Sequence, residues 1–157
     1  LRGRSPTLHA NALRLGRHGV LIRGGSGAGK SVLTLALLEH EAELGRSAAL
    51  VADDRVIIER TGDALIARVP ETIAGLIELR GVGILKWPSE PECTLSLVVD
   101  LGPASAMPRM PEPAESRTEI EGIALARLQL AAMGEGMDLA VAALTVRTML
   151  RHLDPPV

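Results

Sequence analysis

Gly24-Gly25-Ser26-Gly27-Ala28-Gly29-Lys30-Ser31 is the stretch on which the fold of this 157-residue chain turns. It fits the pattern G-x-x-x-x-G-K-[ST]. Glycines let the backbone curl until several N–H groups point inward at phosphate oxygens. A helix that begins at the end of such a loop aims its positive dipole end at the same anion. Lys30 then reaches the β- and γ-phosphates of a nucleoside triphosphate, and the Ser31 hydroxyl is a ligand for Mg²⁺. Gly24, Gly25, Ser26, Gly27, Ala28, Gly29, Lys30 and Ser31 are therefore the expected nucleotide-binding residues. A glycine-rich turn before an ordinary helix would show similar letters, so context decides. Of 17 basic residues only Lys30 and Lys86 are lysine, the rest being arginine. A chain that uses Arg wherever it merely needs a positive charge has placed Lys where the loop requires it.

The flanks supply the structure that the loop needs. Leu8–Leu15 and Gly19–Arg23 read as two short strands around a turn at Gly16–His18. Lys30–Leu44 reads as a helix, with Leu33, Leu37, Leu38 and Leu44 as its apolar positions and Gly45 as its stop. Ala48–Ala52 is an apolar run typical of a buried strand, and it ends in Asp53-Asp54. Val56–Glu59 and Ala64–Val69 flank Thr61-Gly62-Asp63 as a hairpin. Ile73–Leu85 contains Gly75, Gly81 and Gly83, which argue against one long helix. Thr94–Asp100 is a further strand. Gly102–Pro113 holds four prolines and is expected to be a mobile loop. Glu119–Leu130 is compatible with strand or helix. Met137–Leu153 reads as a terminal helix, apolar on most faces until Arg147. Strand and helix alternate early and hairpins come later, so the expectation is an α/β fold with a mixed sheet and flanking helices. No internal repeat or domain-sized linker interrupts it, and one domain over residues 1–157 is expected.

Composition narrows the function classes. The formal net charge is −2, which leaves no sequence-wide basic footprint for nucleic acid. One Trp and no Phe or Tyr leave no stacking platform for single strands, and the core must be aliphatic. No apolar stretch approaches the roughly 18 to 20 residues of a membrane span, and Leu1 to Ala10 lack the apolar segment of a secretory signal. The single cysteine, Cys93, excludes an intramolecular disulfide. A cytoplasmic protein is the expectation.

Asp53-Asp54 places two carboxylates at the C-terminal end of a buried strand, the edge where α/β sheets bind ligands. One carboxylate there commonly holds Mg²⁺ or its water, and a second can accept a proton from an attacking hydroxyl. A polar turn with Arg55 as ion-pair partner is the plainer alternative. Glu78 and Arg80 share a face if Gly75–Gly83 is extended. Spacing alone makes them a surface ion pair of little worth.

Four stretches together resemble one family. They are Leu8-His9 with the strand pair, Gly24–Ser31, Val51-Ala52-Asp53-Asp54-Arg55-Val56, and Ile73-Ala74-Gly75-Leu76-Ile77-Glu78-Leu79-Arg80-Gly81-Val82-Gly83-Ile84. The chain is similar, over about Leu8–Leu85, to the catalytic domain of HPr kinase/phosphorylase, the bifunctional serine kinase of bacterial sugar phosphotransferase regulation. The last stretch resembles that family's own signature. The resemblance implies a P-loop kinase-like fold in a short form without the family's N-terminal domain. It implies ATP and Mg²⁺ as cofactors and an HPr-like phosphocarrier protein as substrate. It implies Ser31 and Glu78 as metal ligands, Asp54 as proton acceptor with Asp53 beside it, and His9 as an active-site residue. Read without the family, a lone His on a strand is more often structural. Arg109, followed by Met110-Pro111, corresponds to the family's active-site arginine. A homo-oligomer, a hexamer in the family, is also implied. The basic segment tied to the family's phosphorylase activity falls at Ala132-Met133-Gly134-Glu135-Gly136-Met137, where the basic residues are gone. The expected function is a serine kinase with weak or lost phosphorylase activity. The alternatives are a small-molecule kinase on the same scaffold and a regulatory nucleotide-binding module without turnover.

Overall fold

The computed structural model describes residues 7–154, so both ends of the expected 1–157 span lie outside the described residues. The strands are β1 (Thr7–Leu8), β2 (Ala10–Leu15), β3 (His18–Arg23), β4 (Ala48–Ala52), β5 (Val56–Thr61), β6 (Ala64–Arg68), β7 (Leu76–Leu79), β8 (Gly83–Lys86), β9 (Glu92–Gly102), β10 (Arg117–Ile120) and β11 (Ile123–Ala131). The helices are α1 (Lys30–Glu43) and α2 (Leu139–Leu153). The main sheet runs β1-β5-β6-β9-β3-β2-β4, with β11 and then β10 added at β9, and β7–β8 form a separate hairpin. The fold is α/β with a mixed sheet, as the alternation of elements implies.

Strand direction places the site. β2 is antiparallel to both β3 and β4, so β3 and β4 run the same way. β9 is parallel to β3, and β11 is parallel to β9. One edge of the sheet therefore collects the C-terminal ends of β3, β4, β9 and β11 together with the start of β2. The glycine-rich loop leaves β3 at this edge, and Asp53-Asp54 leave β4 there.

Two aliphatic cores sandwich the sheet. One lies under the helices and includes Leu13, Val20, Ile22, Leu33, Leu37, Leu50, Leu97, Val99, Val146 and Leu150. The other lies under the β5–β6 hairpin and includes Ala12, Leu21, Val51, Val56, Ile58, Leu65, Leu95 and Val98. β9 feeds both through a bulge: Gly19 pairs with Leu95 but Val20 with Leu97, leaving Ser96 as the extra residue. The bulge reverses the alternation, so Leu95 and Val98 share one face while Leu97 and Val99 take the other. Gly19 makes this junction possible, since a Cβ there would lie 2.2 Å from the Thr94 carbonyl oxygen.

α1 buries Lys30, Leu33, Thr34, Leu37, Leu38 and Glu41 along the face on the core, and Leu35 beside that stripe. Full burial of Leu33 or Leu37 contributes about 1.5–3 kcal/mol each. α2 begins at Leu139 and not at Met137, because the Asp138 carboxylate accepts from the Val141 N–H and caps it there. It buries Ala142, Ala143, Val146 and Leu150 and leaves Val141 and Leu144 half exposed, so its apolar surface is not all core. The ambiguous Glu119–Leu130 is a hairpin, turned by Glu121 (φ 51°) and Gly122 (φ 78°). β9 is longer than Thr94–Asp100, since its first residues pair with β6. Gly102 ends β9, and the rest of the expected Gly102–Pro113 loop is irregular except for one turn of 3-10 helix at Ala104–Ala106. Among the described residues no helix is long and apolar enough to cross a membrane.

Candidate active site

The loop is built as its glycines require. Gly27 (φ 77°) and Gly29 (φ 99°) take left-handed backbone angles, which L side chains rarely adopt. The Ala28 N–H closes a turn onto Gly25 O (3.1 Å), and the Leu33 N–H donates to Gly29 O (3.0 Å) at the start of α1. Lys30 is only 6% exposed. Its Nζ donates to the carbonyls of Gly24 (2.9 Å) and Gly25 (3.0 Å), so two of three ammonium hydrogens are engaged.

The acidic pair divides its contacts. Asp53 Oδ1 accepts from Ser31 Oγ (2.7 Å), and Asp53 Oδ2 accepts from the Glu78 N–H (2.8 Å), tying the loop helix to β7. Asp54 is exposed and adopts φ 67°, a left-handed angle uncommon for residues other than Gly, Asn and Asp. Its carboxylate meets His9 Nε2 at 2.5 Å. Ser26, Gly27, Gly29, Lys30, Ser31, Asp53, Asp54, Glu78, Arg80 and Met133 line one cleft of about 220 Å³. Glu78 and Arg80, which spacing alone made a surface pair, thus both face the loop. The Arg80 guanidinium hangs above Gly27, 3.9 Å from where a Cβ would stand.

Arg109 is exposed on the β9–β10 connection and is not among the residues lining this cleft. His9 reaches the site through its contact with Asp54. The segment 132–137 lies on the loop itself: the Met133 N–H donates to Ala28 O (2.8 Å), and Met133 and Met137 atoms stand 3.2–3.4 Å from a Cβ built on Gly29. Sequence reasoning missed Asn11, which is fully buried and bonded to Ser31, Thr34, Asp53 and the backbone of Asp54. Its signal was one amide in the apolar run Ala10–Leu15, at an alternate position shared with Leu13 and Leu15, where strands disfavour Asn.

Beside the loop, Arg23 grips Asp100 with two hydrogen bonds (2.6 and 2.8 Å) and Arg127 adds a third (2.5 Å). Burial pushes the Asp100 carboxyl up, but the hydrogen bonds from Arg23 and Arg127 outweigh it and hold the group below its ordinary range.

The donor set suits Mg²⁺. Among the described residues no three His, Cys, Asp or Glu side chains gather into an all-protein cage. Mg²⁺ needs none, since it takes one or two carboxylates and completes its shell with phosphate oxygens and water. Ser31 and Glu78 on one cleft, with Asp53 against Ser31, are hard oxygen donors in that sense.

Residues 3–142 match the family described as HPr Serine kinase C-terminal domain. The HPr kinase/phosphorylase of Mycoplasma mycoides subsp. mycoides SC is 40% identical over 82 residues, 51% of this chain and 24% of that protein. The HPr kinase/phosphorylase of an Exiguobacterium species is 47% identical over 68 residues, 43% of this chain and 20% of that protein. The matched stretch thus spans about a quarter or less of these relatives. The structure of the Hpr(Ser) kinase/phosphatase from Coxiella burnetii superposes with a TM-score of 0.74 at 27% identity, covering 95% of this chain and 99% of that one.

Proposed function

The chain belongs to the family of HPr serine kinase C-terminal domains, and on that premise we propose that it transfers the γ-phosphoryl group of ATP to a serine of a small phosphocarrier protein resembling HPr. The observation that carries this reading is Asp54, which lines the same cleft as Lys30 and is paired with His9 at 2.5 Å. Loop N–H groups and the Lys30 ammonium hold the β- and γ-phosphates and absorb the charge that develops as the phosphoryl group moves. The carrier's serine oxygen forms the new bond to phosphorus while the bond to ADP breaks. Asp54, exposed at the mouth of the cleft, takes the serine proton, and His9 orients its carboxylate. Ser31, Glu78 and Asp53 would hold Mg²⁺, which supplies charge neutralisation at the phosphates when bound.

The phosphorylase half of the family's chemistry brings inorganic phosphate to the phosphoserine and releases pyrophosphate. It adds an anion to a crowded site, so it depends on cations more than the kinase reaction does. Here the segment on the loop offers Met133 and Glu135, and the cations lining the cleft are Lys30 and Arg80. Arg127 is bound to Asp100, and Arg147 lines a different cleft beside Arg17 and Asp154. These placements support a kinase with weak or lost phosphorylase activity.

The test is incubation with ATP, Mg²⁺ and the host's own HPr-like carriers. Phosphoserine on a carrier is the expected product. Nucleotide binding without transfer to any carrier would favour a regulatory module. Pyrophosphate release from the phosphoserine carrier at high phosphate is expected to be far slower than the forward reaction, and comparable rates would overturn that half of the reading.

A further inference from the structure

We propose that Asn11 is the positioning residue of this site, holding Asp53 and Asp54 in register with the phosphate loop through one side-chain amide. The inference rests on the kinase reading for its consequence in turnover, but its geometry stands apart from it.

β2 lies between β3, which ends in the loop, and β4, which ends in the acidic pair. Its first residues therefore sit between the two halves of the site. Asn11 Nδ2 donates to Asp53 Oδ1 (2.9 Å) and to Thr34 Oγ1 (3.1 Å), with Ser31 Oγ further off at 3.4 Å. Asn11 Oδ1 accepts from the Asp54 N–H (2.8 Å). The chemistry of the partners orients the amide, since a carboxylate oxygen can only accept and a backbone N–H can only donate. Asn is the side chain that serves both. Aspartate has no donor for Asp53, and leucine of similar size serves neither.

The bond to Asp54 has a specific purpose. The left-handed backbone of Asp54 leaves its N–H pointing at β2, where Asn11 receives it, while the Ala10 N–H donates to Asp54 O (3.2 Å). His9, Ala10 and Asn11 thus hold the carboxylate, the carbonyl and the N–H of Asp54 in turn. Meanwhile the other end of the Asn11 amide fixes the Asp53 oxygen that receives Ser31. The two acids differ in exposure and contacts, and one buried amide sets their relative position.

The experiment compares Asn11→Leu with Thr34→Val. The second removes a buried hydroxyl that accepts from Asn11 but contacts neither carboxylate. Asn11→Leu is expected to lower kcat at least ~100-fold, the scale of a misplaced proton acceptor, while affinity for ATP without Mg²⁺, held by the loop and Lys30, changes by calorimetry less than about threefold, as expected when orientation and not phosphate binding is lost. Thr34→Val is expected to melt earlier with kcat within about threefold, since it leaves both acids in place. Should Asn11→Leu not fold, Asn11→Ala takes its place, because a methyl group neither donates to Asp53 nor accepts from the Asp54 N–H. A folded Asn11 variant with near-normal kcat would overturn the proposal, as would loss of turnover in both variants in proportion to their stability. If the unaltered chain phosphorylates no carrier, the kinase reading fails. The positioning role is then decided by the crystal structure of the Asn11 variant: it predicts that Asp54 leaves its left-handed angle and His9, and an unmoved Asp54 overturns it.

Discussion

Lys30 gives two of its three hydrogens to the carbonyls of Gly24 and Gly25, and its third, with the charge, remains for a phosphate. Lys30→Ala should therefore leave the fold cooperative and lower turnover by at least about 10³-fold, the scale of losing a charge-stabilising donor at the reacting group. Circular-dichroism melting and steady-state kinetics check the two halves, and a fully active Lys30→Ala protein would sink the phosphate-loop mechanism. Asp54 makes the opposite prediction about binding. Asp54→Asn keeps the shape and cannot accept the proton, so kcat should drop by roughly 10²–10⁴-fold. ATP affinity should change little or improve, because one negative charge near the phosphates is gone. Collapse of ATP binding with normal turnover at saturation would make Asp54 a metal or structural residue. At this scale most of the cleft lining was legible: Lys30, Ser31, Asp53, Asp54 and Glu78 all belong to it. Asn11 was not legible, because its role depends on which strands flank β2.

β3 and β9 are the elements on which the loop is mounted, and they meet across Gly19. An alanine there would drive its Cβ against the Thr94 carbonyl at 2.2 Å and Cys93 Sγ at 2.9 Å, and backbone cannot yield as a flexible side chain can. Gly19→Ala should cost about 3 kcal/mol, the upper range for overpacking a core, in urea denaturation. A loss under about 1 kcal/mol would mean that the two strands can part without disturbing the bulge at Ser96. The bulge also explains a limit of pattern reading. Alternation along Glu92–Gly102 changes phase at Ser96, so one period cannot describe the strand, and Thr94–Asp100 was read without the first residues, whose pairing with β6 is tertiary. The β10–β11 hairpin stayed ambiguous for another reason: Ile123–Ala131 has only two polar residues, Arg127 and Gln129, too few to mark a period, and its pairing with β9 is decided far away in sequence.

Across the whole molecule, Asp100 clamps β3 and β11 onto β9 through Arg23 and Arg127, next to the loop. Its carboxyl titrates below the ordinary range in the folded chain, despite the upward push of burial. A depressed carboxyl contributes stability that is complete above the unfolded value, about pH 4, and is lost as pH falls through the lower folded value. Asp100→Asn should destabilise the chain at pH 7 by about 2 kcal/mol, the scale of hydrogen bonds to charged groups. The gap to the unaltered protein should narrow as pH falls through the lowered folded value of the Asp100 carboxyl, below which both carry a neutral side chain at this position. Denaturant curves at pH 7 and at low pH decide it, and a gap independent of pH would mean that packing and not charge sets the contribution of Asp100.

Local rules determined much of this protein from sequence alone. The loop at Gly24–Ser31, the helix after it and the acidic end of the Ala48–Ala52 strand follow from glycine conformations, helical spacing and an apolar run, each contained within some twenty residues. Tertiary structure decided the rest. It inserted β2 between β3 and β4, so that His9 and Asn11 meet Asp54 and Asp53. It laid Met133 on the loop and left Arg109 outside the cleft lining. These placements join residues twenty to a hundred positions apart. They depend on strand order and register, and those are settled only when all the strands bury their apolar faces together.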